Sequence, residues 1–297
     1  MVDLSVDRDE WAEHWWPAPA KLNLMLNIVG QRADGYHELQ TVFQLIAISD
    51  WLNFIPTDNG HISLSCSSAD IATEDNLVVR AASLLKERSG SALGVDVILK
   101  KILPMGAGLG GGSSDAATTL VVLNDVWGLG YSVEQLIDLG LELGADVPIF
   151  VKGCSTWAEG VGEKMTSIKL PENWFVVVNS DHHCSTKEVF AHNSLTRDNS
   201  PITIRDFLDG QENNDCLPVV REMNQELDRQ YRQFSDFSKV YLTGTGSSMF
   251  AKCNTRQEAV SLSDRLPDGW NKWIVKGINK SPLQKSLKQF FNRVNQV

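Results

Sequence analysis

The chain has 297 residues, 42% hydrophobic and 22% charged, a balance that supports packed cores and excludes disorder as the dominant state. A formal net charge of −10 excludes nucleic-acid binding through a basic surface, so any phosphate site must be local, built from backbone N–H groups and a few cations. No apolar run reaches the roughly 18 residues of a membrane span, the chain opens on Asp3, Asp7, Asp9, Glu10 and Glu13, and Cys66, Cys154, Cys184, Cys216 and Cys253 form no CxxC pair. The expectation is a cytoplasmic protein with free thiols and neither a membrane nor a nucleic-acid partner.

Taken in chain order, Trp11, Trp15 and Trp16 in the acidic lead read as packing residues. From Ala20 the residues alternate, Leu22, Leu24 and Leu26 on one face and Lys21, Asn23, Met25 and Asn27 on the other. That pattern predicts a strand with one core face and one largely polar face. Further strands are predicted at residues 42–48, 51–55, 61–66 and 95–99, with a helix over 76–88 that Asp75 can cap. A second helix is predicted over 114–127, and a third from the Ser132/Gln135 capping box to about residue 143.

The character changes near Pro171. A strand is predicted at 175–179, a long helix at 217–231, and short strands at 240–243 and 249–252 around a glycine turn. Helix, strand and helix follow through Glu258, Ile274 and Leu283. Both halves therefore read as α+β, the first with a mainly antiparallel or mixed sheet, and the expected division is 1–170 and 171–297.

The strongest local signal is Pro104-Met105-Gly106-Ala107-Gly108-Leu109-Gly110-Gly111-Gly112-Ser113-Ser114, followed by Asp115-Ala116-Ala117. Five glycines in seven residues cost conformational entropy and make sense where the backbone approaches a ligand closely or repeatedly takes positive φ. Placed between a strand and a helix, the segment joins unpaired helix-start N–H groups to the positive end of the helix dipole, an arrangement suited to phosphate. A flexible linker is the competing reading, but linkers seldom run directly into an apolar helix. A Walker A loop requires lysine before Ser/Thr, and Gly112 is followed by Ser113. The spacing of Gly106, Gly108 and Gly111 matches GxGxxG, yet the helix leads into another helix rather than into the second strand of a βαβ unit. The protein-kinase loop is excluded because neither His-Arg-Asp nor Asp-Phe-Gly occurs.

Pro-x-x-x-Gly-Leu-Gly-Gly-Gly-Ser-Ser-Asp resembles the ATP-binding motif of the GHMP kinases, which act on galactose, homoserine, mevalonate and phosphomevalonate. Pro19-Ala20-Lys21-Leu22-Asn23-Leu24 is similar to that family's first motif, and Leu242-Thr243-Gly244-Thr245-Gly246-Ser247-Ser248 to its third. The resemblance implies the α+β GHMP kinase fold, with an N-terminal domain like the second domain of ribosomal protein S5 and a ferredoxin-like C-terminal domain. It also implies ATP with Mg²⁺ as donor, held by Pro104 to Ser114, and Gly244, Thr245 and Gly246 near the phosphates.

Phosphoryl transfer to a hydroxyl needs a carboxylate near the acceptor and a cation to stabilise shifting charge. Asp146, in Gly144-Ala145-Asp146-Val147-Pro148-Ile149-Phe150, is the candidate carboxylate, with capping of that turn as the alternative. Lys21 is the candidate cation, with a solvated edge-strand lysine as the alternative. The resemblance implies that the two form the catalytic pair.

Tyr36 and His37, after the Asp34-Gly35 turn, place an aromatic ring beside an imidazole, a platform for a flat heterocycle. The run from Pro19 through Thr41 resembles one branch of the family, whose acceptor carries a cytidine diphosphate group and serves isoprenoid precursor synthesis. In that branch Tyr36 is expected to stack on cytosine and His37 to bond its polar edge. Phe190 would supply the opposite face with Thr186 nearby, and Asn23 would contact the polyol beside Lys21. The sequence around Phe190 departs from that branch's Pro-Thr-rich form, and simple helix packing competes for that residue. Two alternatives stay open: a kinase for another small alcohol such as mevalonate or homoserine, and a nucleotide-binding protein without catalysis.

Overall fold

The structure is a computed structural model and describes residues 8–67, 75–180, 182 and 184–294; Asp3 and Asp7 of the acidic lead lie outside them. The chain forms α1 (Arg8–Glu13), β1 (Trp16–Gln31), β2 (His37–Thr57), β3 (Ile62–Cys66), α2 (Leu77–Ser89), β4 (Gly94–Lys100) and α3 (Gly111–Val126). There follow α4 (Val133–Leu143), α5 (Val147–Lys152), β5 (Thr156–Gly160), β6 (Lys164–Ser167), β7 (Trp174–Asn179), α6 (Thr186–Ala191) and α7 (Ile204–Leu208). The last elements are α8 (Cys216–Met223), α9 (Gln225–Ser235), β8 (Val240–Leu242), β9 (Ser248–Cys253), α10 (Arg256–Ser263), β10 (Asn271–Ile278) and α11 (Pro282–Val294).

Strand β2 is the spine. One edge pairs antiparallel with β1 along its length; the other takes β5 at Leu39–Phe43, β10 at Leu45 and Ile46, and β4 at Trp51–Thr57. Strand β10 also pairs with β7, which pairs with β9, so the two halves share one continuous sheet. The expected break between strands at 42–48 and 51–55 does not occur. Asp50, in the gap between those expected strands, lies fully buried inside β2. Its carboxylate accepts the N–H groups of Ile102 and Leu103 (2.5 and 2.8 Å), which satisfies it within the sheet.

Helix ends follow local chemistry. Asn76, rather than Asp75, caps α2, its side chain accepting the Val78 N–H at 2.9 Å. The Ser132/Gln135 capping box of α4 forms in both directions. The long helix expected over 217–231 is two, because Asn224 leaves the helical conformation and accepts the Leu227 N–H (2.9 Å) to start α9. Strand β1 alternates only as far as a bulge between Asn23 and Met25. Met25, expected on the polar face, therefore packs with Leu22 and Leu24 in the core.

The division near residue 170 is crossed by packing in both directions. Leu26 and Ile28 of β1 join the core formed with β7, α8 and α9, while Leu283, Leu287 and Phe290 of α11 join the core of the first half. Trp11 and Trp16 are buried against Phe290, ring centroids 4.7 and 5.2 Å apart, which gives these tryptophans their packing role. Among the described residues no helix is long and apolar enough to cross a membrane.

Candidate active site

The glycine segment runs from β4 into α3. Gly110 holds the N-cap position at φ 74°, and the helix starts at Gly111, three residues before the expected start. The first intrahelical bond joins the Ser114 N–H to the Gly110 carbonyl (2.8 Å), so the N–H groups of Gly111, Gly112 and Ser113 have no partner inside the helix. Glycine is required at two points by close approach. A Cβ at Gly108, where φ is 74°, would lie 2.3 Å from the Thr243 carbonyl oxygen. One at Gly110 would lie 2.8 Å from the Phe150 ring and 3.2 Å from Lys21 Cε. The loop is thus clamped between the β8–β9 turn and the lysine behind it.

A cavity of about 570 Å³ opens over this loop. Pro104, Met105, Gly106, Ala107, Gly108, Gly110, Gly111, Gly112 and Ser113 line it. Leu109 and Ser114, expected among the binding residues, do not. The Leu109 side chain is in the core while its carbonyl accepts the Lys21 N–H (3.0 Å), and the Ser114 hydroxyl is buried without a partner. The Gly244, Thr245 and Gly246 turn forms the facing wall, tied down where Thr243 Oγ1 donates to the Gly108 carbonyl (3.1 Å). Missed by sequence reasoning is the wall made by Asp75, Asn76, Leu77, Leu99 and Lys101. An Asp-Asn helix start and a lysine three residues before Pro104 were its only signals.

Lys21 is 2% exposed, which rules out the solvated edge lysine; the polar face of β1 lines the cavity instead of meeting solvent. Its Nζ donates to Asn23 Oδ1 (2.5 Å), lies 3.2 Å from Asp146 Oδ2 and stands 5.3 Å from the centre of the Phe43 ring. Asn23 in turn donates to Thr41 Oγ1 (2.9 Å), so both ends of its amide are engaged and it orients the lysine. Asp146 occupies the N-cap position of α5 but makes no cap hydrogen bond; its carboxylate, 36% exposed, faces Lys21. Gly140 lets α4 pack tightly there, since a Cβ would meet Val147 at 2.9 Å.

A second charged group lies under the loop. Lys101 Nζ is bonded to Asp50 Oδ2 and, at 2.8 Å, to Asp115 Oδ2, joining β2 to both ends of the glycine segment. Burial, opposed by the Lys101 charge and reinforced by Asp50, pushes the Asp115 carboxyl up to about 7. Burial works to lower the Lys101 pKa, but the two carboxylates outweigh it and raise it. Asp115 Oδ1 is buried with no partner.

On the opposite side, Thr186 and Phe190 of α6 line the cavity, and Thr186 Oγ1 lies 2.9 Å from Thr245 Oγ1. Tyr36 and His37 are outside the lining. Tyr36 is 65% exposed beyond the Gly35 turn, while the His37 ring packs against Phe190 with centroids 4.9 Å apart at 31°. Arg197, which sequence reasoning did not single out, donates from Nε to His37 Nε2 (3.1 Å). Burial first, and then the Arg197 charge, hold His37 below its ordinary pKa.

A family model for the GHMP kinases N terminal domain matches residues 76–154. The chain is 51% identical over 280 residues to the 4-diphosphocytidyl-2-C-methyl-D-erythritol kinase of Methylococcus capsulatus, covering 92% of this chain and 94% of that protein. It is 48% identical over 274 residues to the kinase of the same name from Nitrosococcus oceani, covering 92% and 98%. Among solved structures, a 4-(cytidine 5'-diphospho)-2C-methyl-D-erythritol kinase superposes with a TM-score of 0.77 at 30% identity, over 89% of this chain and 99% of that one. A mevalonate kinase superposes at 0.65 with 14% identity, over 90% and 100%, a likeness of fold.

Proposed function

The chain belongs to the 4-diphosphocytidyl-2-C-methyl-D-erythritol kinases within the GHMP kinases, and from that premise we propose that it transfers the γ-phosphoryl group of ATP to the 2-hydroxyl of 4-diphosphocytidyl-2-C-methyl-D-erythritol. The reaction serves the non-mevalonate (methylerythritol phosphate) route to isoprenoid precursors. The observation that carries the chemistry is the Lys21–Asp146 pair, held 3.2 Å apart beside the open N-terminus of α3.

The free N–H groups of Gly111, Gly112 and Ser113 receive phosphate oxygens, with the helix dipole adding roughly half a positive charge. The nucleotide base takes the wall of Asn76, Leu77, Leu99 and Lys101. Asp146 receives the acceptor hydroxyl's proton or aligns it, and Lys21, fixed by Asn23, stabilises the negative charge that moves to the acceptor oxygen. Mg²⁺, when bound with ATP, would supply neutralisation of phosphate charge. Among the described residues no group of three or more His, Cys, Asp or Glu side chains could hold a metal ion. The cytidine diphosphate end lies toward Thr186 and Phe190, with Tyr36 and His37 beyond them. Residues 1–170 bring the glycine loop and the Lys21–Asp146 pair to the cavity, and residues 171–297 bring Thr186, Phe190 and the Gly244–Gly246 turn.

Purified protein with ATP and Mg²⁺ should release ADP with the cytidine-containing acceptor in preference to mevalonate or homoserine; a signal only with the latter two would refute the substrate. Asp146→Asn should lower turnover by roughly 10²–10⁴ with little change in ATP affinity. Turnover within about threefold of the unaltered protein would remove Asp146 from the chemistry.

A further inference from the structure

Arg197 belongs to none of the motifs, yet its guanidinium makes four hydrogen bonds near the acceptor end. Nη1 donates to the Leu195 carbonyl (3.0 Å), and Nη2 to the carbonyls of Phe190 and His192 (2.8 and 2.9 Å). Those three bonds fix the plane of the fork, and the Nε–H within that plane ends on His37 Nε2 at 3.1 Å. We propose that Arg197 is a positioning residue of the acceptor site, locking the His37 imidazole against Phe190 as the neutral Nδ1–H tautomer, so that His37 meets the acceptor base as a hydrogen-bond donor.

The tautomer follows from the donor. An arginine N–H can bond Nε2 only where that nitrogen carries a lone pair, which places the single proton of a neutral ring on Nδ1. An imidazolium has no lone pair to offer, so protonating His37 would break the bond and set two cations side by side. The downward shift of its pKa points the same way. The clasp also ties the two sides of the site together. Phe190, whose ring touches His37, gives its own carbonyl to the same guanidinium. Cytosine presents acceptors at O2 and N3 on its polar edge, and an Nδ1–H donor complements either one. This rests on the acceptor reading above.

Histidine labelled with ¹⁵N, read by long-range proton–nitrogen correlation at pH 7.5 and assigned with H37Q, reports the tautomer without any acceptor. His37 should carry its proton on Nδ1 in the unaltered protein, and R197M should move it wholly or partly to Nε2. In steady-state assays R197M should raise KM for 4-diphosphocytidyl-2-C-methyl-D-erythritol by about tenfold or more, with KM for ATP within about twofold. R197K, which keeps a donor but not the fork, should fall between. An Nε2–H signal in the unaltered protein would overturn the proposal. So would an R197M protein with unchanged tautomer and acceptor KM, or one in which KM for ATP and turnover suffer as much as acceptor binding. Should the unaltered protein ignore the cytidine acceptor, the substrate reading falls, while the nitrogen signals still decide the Arg197–His37 relation.

Discussion

Asp115→Asn tests whether the buried charge group under the glycine loop behaves as its surroundings dictate. The Asp115 carboxyl is pushed from an ordinary 3.8 up to about 7, a shift of roughly three units at about 1.4 kcal/mol each. Because its folded pKa lies above its unfolded value, the folded state binds the proton more tightly. Between about pH 4 and pH 7 the unfolded chain gives up this proton while the native state keeps it. Stability therefore falls as pH rises through that window, by about 4 kcal/mol in all, and levels off above it. Asparagine cannot ionise and still offers an oxygen to Lys101, so the fall should vanish. Its amide at the unpartnered Oδ1 position costs roughly 1–3 kcal/mol, but this offset is the same at every pH. Urea unfolding of both proteins from pH 4 to 8 gives the difference directly. The stability of the variant relative to the unaltered protein should climb by about 1.4 kcal/mol per pH unit and flatten above pH 7. A difference that stays constant across the range would show that Asp115 ionises normally and would sink the argument.

Two further substitutions probe the loop and the far end of the fold. Gly108→Ala places a Cβ 2.3 Å from the Thr243 carbonyl oxygen at φ 74°, so the loop must move. KM for ATP should rise at least about tenfold in steady-state assays, and a change under about twofold would mean that the clamp does not shape the phosphate site. Phe290→Ala removes the ring that Trp11 and Trp16 pack against, and urea unfolding should show a loss of about 3–5 kcal/mol. A loss under about 1 kcal/mol would show that α11 does not fasten the first half of the chain.

What could be read in advance was set by distance along the chain. The glycine loop, the Ser132/Gln135 box and the strand alternation up to Asn23 are local patterns, whose physics is complete within a few residues. Asn224 was local too, and an asparagine followed by Glu226 and Asp228 is a helix-start signal that a long apolar stripe overrode. Asp50 is different. Ser49-Asp50 falls in the gap between two expected strands, and groups some fifty residues later, Lys101 with the Ile102 and Leu103 N–H groups, make a buried carboxylate acceptable inside a strand. The same holds for His37, whose tautomer depends on an arginine 160 residues away, and for Lys21, whose spacing alone favoured a solvated surface residue. In each case the contact that fixes the side chain could not be read locally, because a partner lies far off in sequence. The sheet explains the pattern: β2 takes neighbours from β1, β4, β5 and β10 in turn, and so collects polar groups from across the chain. A buried ionisable group needs a compensating partner, so a charged residue inside a hydrophobic run is better read as half of a pair than as a break in the strand. Asp50 within residues 42–55 would then have pointed to a cation elsewhere, and Lys101, three residues before the glycine loop, was within reach of that argument.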